Sequence, residues 1–214
     1  MSDTCGNLSG VLTAIEHMRS QGVVKIFHLG AYYSDVQKYI EMRKTILSRN
    51  NKYDDTDFMS DFSTFLAKQS GIPQRPSKDL DEIAWLKKNV LQVPADSDLE
   101  YNDAQIKRSD FEMIGGKFIA VTHSPKALSK EDIASANVIL YGQTRKYQVD
   151  AMQGRFFVNP GHLDKNDVIS GRPPTYGILE LEPDCLTFTV YDLQKQVVFE
   201  KELENTRKRK FKST

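Results

Sequence analysis

Apolar residues recur at three- and four-residue intervals through Leu8, Val11, Leu12, Ile15 and Met18, which predicts an amphipathic helix over residues 8–21. Asn7 or Ser9 is placed to cap its start and Gly22 to stop it. Val23 to Leu29 is a largely apolar run, the pattern of a buried strand, and it ends at Gly30. A second helix is expected over 34–48. Turn, helix, strand, helix is the order of an α/β unit with parallel pairing. Such a unit should open on a strand, and here the first strand is missing from the given start.

Residues 50–57 are polar and acidic and read as a loop. Helices are expected near 57–70, with Phe58, Phe62, Phe65 and Leu66 on one face, and near 78–89; Gly71, Pro73 and Pro76 punctuate between them. Val90 to Val93 is a short strand. Beyond residue 105 the pattern becomes β. Asp110–Ile114 and Lys117–Thr122 flank Gly115-Gly116, a two-residue hairpin turn. A short helix near 129–136, a strand at Val138–Tyr141 and another at Phe156–Val158 follow. Tyr176–Leu181, Leu186–Tyr191 and Val197–Leu203 predict a terminal meander.

Composition narrows the class. Lys and Arg number 29 and Asp and Glu number 29, a balance that argues against a dedicated nucleic-acid binder. The basic ending, Arg207 to Lys210 with Lys212, is expected to be solvated. Cys5 and Cys185 are the only cysteines, so no disulfide framework is needed. No apolar run reaches the roughly 18 residues of a membrane span. The opening residues lack the basic and apolar regions of a signal peptide. A cytoplasmic protein without membrane contact is expected.

In α/β proteins the loops after strands carry the sites. In order they read Ser2-Asp3-Thr4-Cys5-Gly6-Asn7, Leu29-Gly30-Ala31-Tyr32, Pro94-Ala95-Asp96-Ser97, Thr122-His123-Ser124, Gly142-Gln143-Thr144-Arg145 and Asn159-Pro160-Gly161-His162. This series resembles the calcineurin-like metallophosphoesterases, in the small bacterial phosphodiesterase branch that also contains the retromer scaffold subunit. The resemblance spans nearly the whole chain. It implies a two-sheet αββα sandwich carrying a helical insertion at 50–89, with 1–49 and 90–204 as the two halves of one domain and 205–214 as a basic tail. It also implies a strand of about five residues before Ser2, central in one sheet.

The resemblance implies a pair of divalent metals as well, held by carboxylate, imidazole and amide ligands. Asp3 and His123 match the family's ligands. Cys5 stands at the first His, Ala31 at the bridging Asp, Asp96 at the Asn ligand, and Gln143 and Arg145 at the two His of the last motif. Ser97 occupies the position of a His that assists the leaving group. A methyl cannot bridge metals. A guanidinium stays protonated, and at about 4 Å from a dication it costs several kcal/mol even at an effective dielectric near 20.

The leading expectation is therefore a phosphoesterase-fold protein without dinuclear catalysis and without cofactor, acting as a binding or scaffold protein through its helical insertion, with self-association as the competing role of that surface. The first alternative is a divergent phosphodiesterase with one divalent ion (Mn, Zn or Ni) on Asp3, Asp96 and His123, with Cys5 beside them. The second is a metal-free phosphate or nucleotide sensor that uses Arg145. His28 reads as a packed core residue, His17 as solvent-facing and His162 as a surface turn residue.

Overall fold

The computed structural model describes residues 1–50, 77–167, 171–183 and 185–204. The chain divides into two compact units, Met1–Val36 with Val90–Thr214, and Gln37–Asn89. The second unit therefore begins well before the expected boundary at residue 50. The expected helix at 57–70 and its Phe face lie outside the described residues.

In the larger unit, α1 (Leu8–Ser20) starts where the Asn7 side chain accepts from the Gly10 amide at 3.0 Å, so Asn7 is the cap. It ends at Gly22, whose φ of 76° suits a residue without a Cβ. Val11, Ile15 and Met18 are buried, and each such side chain contributes about 1.5–3 kcal/mol. Then β1 (Ile26–His28) pairs in parallel with β2 (Val90–Gln92). The run expected as a strand from Val23 is cut short, and Val24 is exposed.

β3 (Ser109–Ile114) and β4 (Lys117–Thr122) form the hairpin over Gly115-Gly116, both with positive φ, as a tight turn of the mirror-image type requires. A capping box between Ser129 and Asp132 opens α4 (Lys130–Ser135), which leads to β5 (Val138–Leu140). β6 (Tyr147–Met152) and β7 (Arg155–Pro160) complete a five-stranded sheet in the order β3-β4-β5-β7-β6. β6 was not expected, although Tyr147-Gln148-Val149-Asp150 alternates apolar and polar residues; it pairs antiparallel with β7 across the Gln153-Gly154 turn. The terminal meander forms as β8 (Thr175–Leu181), β9 (Cys185–Asp192) and β10 (Val197–Glu204).

The chain is mixed α/β. In place of two sheets there are three, because β1-β2 and β8-β9-β10 are not joined: both β1 and β8 are edge strands. One core holds Leu29, Val93, Ile119, Leu140, Val158 and Phe188 between the sheets. A smaller one, with Ala120, Leu128 and Ile139, lies on the other side of the five-stranded sheet. Among the described residues no helix is long and apolar enough to cross a membrane.

In the smaller unit, α2 (Asp35–Asn50), whose first residues belong to the larger one, meets α3 (Ser77–Asn89) through Glu82. The Tyr39 hydroxyl donates to Glu82 Oε1 at 3.1 Å, and Arg43 pairs with Oε2 at 2.7 Å. Glu82 is buried, so this pairing is what makes its charge tolerable there.

Candidate functional site

The loops after the strands are built on left-handed residues. Asp3, Cys5, Ala31, Tyr32, Gln143 and Arg145 all have φ between 47° and 70°. Outside glycine this conformation is uncommon, and it persists only where surrounding bonds enforce it. Those bonds come from buried carboxylates. Asp35 Oδ2 accepts from the Thr4 hydroxyl and the Gly6 amide, both at 2.7 Å. Asp98 accepts from the Tyr32 amide at 2.6 Å and from the Ala95 amide at 2.8 Å. Gly30 lies against the second loop: a Cβ there would sit 2.6 Å from the Ala95 nitrogen.

Arg145 holds the centre of one cluster. Its Nε is 3.9 Å from Asp3 Oδ1, and its Nη1 is 3.2 Å from Asp164 Oδ2 and 3.5 Å from Asp167 Oδ1. Its Nη2 donates to Cys5 Sγ at 3.6 Å. Asp3 also accepts from the Ser2 hydroxyl at 2.5 Å. Burial raises the Asp3 pKa, and the Ser2 bond and the charges of His123, Arg145 and His162 oppose that rise. Burial, with Asp164 adding to it, pushes the Cys5 thiol up to about 12, so it is a neutral thiol and not the thiolate that metals prefer.

His162 is buried, with Nε2 3.4 Å from Asp167, which corrects the surface role expected of it. His17 is corrected likewise: it is buried, its Nδ1 lies 2.9 Å from the Tyr176 hydroxyl, and its ring stacks edge-on to Tyr191. His28 is fully buried, with Nε2 3.2 Å from the Thr4 hydroxyl.

The remaining candidates gather elsewhere. Asp96, His123 and Gln143 line a neighbouring cleft of about 250 Å³ with Tyr101, Arg108 and Lys126. There His123 Nδ1 is engaged with the Leu29 carbonyl at 2.6 Å. Ser97 is exposed. The family-matched positions thus divide between an acidic cluster neutralised by Arg145 and a cleft fringed by cations. Asp164 and Asp167 were missed in the sequence. Their signal was the pair of aspartates in Leu163-Asp164-Lys165-Asn166-Asp167, directly after Asn159-Pro160-Gly161-His162, together with an unexplained arginine.

These residues do not fit a pair of metal ions. Ala31 is buried and offers only a methyl group. The guanidinium lies beside Asp3 where a second cation would be repelled. Among the described residues no group of three or more His, Cys, Asp or Glu side chains is arranged to hold a metal.

Residues 1–184 match the model of the calcineurin-like phosphoesterase superfamily domain. The chain belongs to that superfamily. Two solved structures share the fold over nearly the whole chain. One is a conserved uncharacterized protein of Streptococcus pneumoniae, predicted to be a phosphoesterase, with 15% identity, 95% of this chain and 94% of that one covered, and a TM-score of 0.56. The other is the E. coli phosphoesterase Yfce, at 18% identity, 94% and 95% coverage and a TM-score of 0.54. Vps29 of Entamoeba histolytica is similar over 66% of this chain and 88% of its own, at 19% identity and a TM-score of 0.44. No curated protein matches the chain in sequence. At these identities the likeness to solved structures shows the fold alone, and the chemistry rests on the residues.

Proposed function

We propose that this superfamily member has lost dinuclear-metal catalysis and works as a binding or scaffold protein on a two-layer phosphoesterase sandwich. The observation that supports this reading is the place of Arg145, whose guanidinium pairs with Asp3, Asp164 and Asp167. A fixed cation does there what a metal would do for the carboxylates, without the open coordination positions that activate water. In this reading the partner-facing surface is the 50–89 segment, most of which lies outside the described residues, and self-association is the competing use of it. The test is metal content: protein purified after growth with added Mn should carry well under one divalent ion per chain. One or more ions per chain, lost on Asp3→Ala, would favour the single-metal phosphodiesterase built on Asp3, Asp96 and His123.

One observation favours a second reading, a metal-free phosphate or nucleotide sensor. Arg108 and Lys126 line the cleft with His123, and the Ser124 hydroxyl beside them is buried with no hydrogen-bond partner. The cations of such a sensor would be Arg108 and Lys126, because Arg145 is committed to carboxylates. A saturable thermal shift with phosphate or a nucleotide, abolished by Arg108→Ala, supports it.

A further inference from the structure

The cleft lined by Asp96, Arg108, His123, Ser124 and Lys126 carries groups that are specific about what fills it. Arg108 is set in place before any ligand arrives. Its Nε donates to the Tyr101 carbonyl at 3.1 Å, and its guanidinium carbon lies 4.3 Å from the centre of the Tyr101 ring. Nη1 and Nη2 are the donors left over, and that pair is the fork that holds two oxygens of one phosphate. Arg145 is taken up by acids, whereas among the described residues no carboxylate pairs with Arg108 or Lys126.

The loop after β4 adds a further donor. The Ser124 carbonyl accepts from the Thr122 hydroxyl and from the Ala127 amide, both at 3.0 Å, which pins the backbone there. The Ser124 hydroxyl is left buried with no partner. Such a group is uncommon in a folded protein, and a ligand oxygen in the cleft satisfies it.

Two other groups do not suit a bare anion. The Asp96 carboxylate only accepts, so it repels phosphate oxygens unless something in the ligand donates to it. His123 spends Nδ1 on the Leu29 carbonyl, which can only accept, so Nε2 alone remains for the cleft. A ligand that satisfies the whole set carries a phosphate and, on the same molecule, a hydroxyl. Size and stacking narrow it further. The cleft, at about 250 Å³, falls below the roughly 300–1,000 Å³ of sites that enclose ligands of nucleotide size. Arg108 already covers one face of the Tyr101 ring, the surface on which a base would stack.

We propose that the cleft binds a small phosphate monoester with a hydroxylated carbon body, a polyol or sugar phosphate, through Arg108, Lys126 and Ser124, with Asp96 reading the hydroxyl. This rests on the sensor reading of the cleft and names its ligand. Two cations match the charge of about −1.5 to −2 that a monoester carries at pH 7, which a diester does not reach.

The test is calorimetric titration of the intact protein, without added metal, with glycerol 3-phosphate, inorganic phosphate, glycerol and AMP. Glycerol 3-phosphate should bind at least about tenfold more tightly than inorganic phosphate or AMP, the worth of one added hydrogen bond to a charged group, and glycerol should not bind. Arg108→Ala should weaken both glycerol 3-phosphate and inorganic phosphate, and Asp96→Asn should bring their two affinities level. If inorganic phosphate or AMP binds as tightly as glycerol 3-phosphate and Arg108→Ala weakens it, the sensor reading stands and the hydroxylated monoester is overturned. A preference for glycerol 3-phosphate that survives Asp96→Asn overturns it as well. If no phosphate binds, or binding is indifferent to Arg108→Ala, the sensor reading and the proposal fall together.

Discussion

Arg145 Nε and Asp3 Oδ1 stand 3.9 Å apart, and the same guanidinium reaches Asp164 and Asp167. One cation therefore offsets a cluster of acids, of which the Asp3 and Asp167 side chains are 4% and 0% exposed. Arg145→Ala removes that cation from all three and leaves Asp3 with the Ser2 hydroxyl and Asp167 with His162. It should destabilise the protein by about 1–3 kcal/mol in urea unfolding at pH 7, below the fully buried case because the arginine is partly exposed. The deficit should shrink as pH falls and Asp3, its pKa raised by burial, protonates.

Ala31 carries a left-handed backbone at φ 56°, followed by Tyr32 at φ 70°. An L side chain pays about 1–2 kcal/mol there, and glycine does not. Ala31→Gly should raise stability by about 0.5–1 kcal/mol, net of the added freedom of the unfolded chain. A lower denaturation midpoint would show that the Ala31 methyl packs productively.

These positions were legible in the sequence as stations, and their consequences were not. The α/β order, the Gly115-Gly116 hairpin and the terminal meander followed from periodicity and turn residues, because both are local. β6 escaped because its partner β7 decides it. His17 and His162 were misread for the same reason: their burial comes from Tyr176 and Asp167, distant in sequence or hidden in a polar loop. Arg145 was recognised as incompatible with metals, but Asp164 and Asp167, which hold it beside Asp3, were not foreseen.

Asp98 accepts from Tyr32 and Ala95 and so ties together the loops carrying Ala31 and Asp96. Asp98→Ala removes two hydrogen bonds to a charged acceptor and should cost about 2–4 kcal/mol. Exchange at the Tyr32 and Ala95 amides should speed by more than exchange in β5. Uniform loss across the protein would contradict the local role.

His28 has its pKa lowered from 6.5 to about 3 by burial, with the N-terminal amine and His123 adding to it. The unfolded chain binds a proton below about 6.5 that the folded one does not, so stability falls as pH drops through that range, by at most about 1.4 kcal/mol per unit. The Met1 amine, lowered to about 5, acts in the same direction from its ordinary value of 8.0 downward, and the raised Asp3 acts in the opposite one. His28→Gln should flatten the slope between pH 6 and 4.5 in urea titrations. An unchanged slope would assign the acid sensitivity elsewhere.

The most direct measurement is turnover of a generic aryl phosphodiester by the unmodified protein with added Mn, with metal content assayed on the same sample. The account predicts no turnover above background, no dependence on Mn and no bound metal. Mn-stimulated turnover that disappears in both Asp3→Ala and His123→Ala would contradict it and establish a working metal site on those residues.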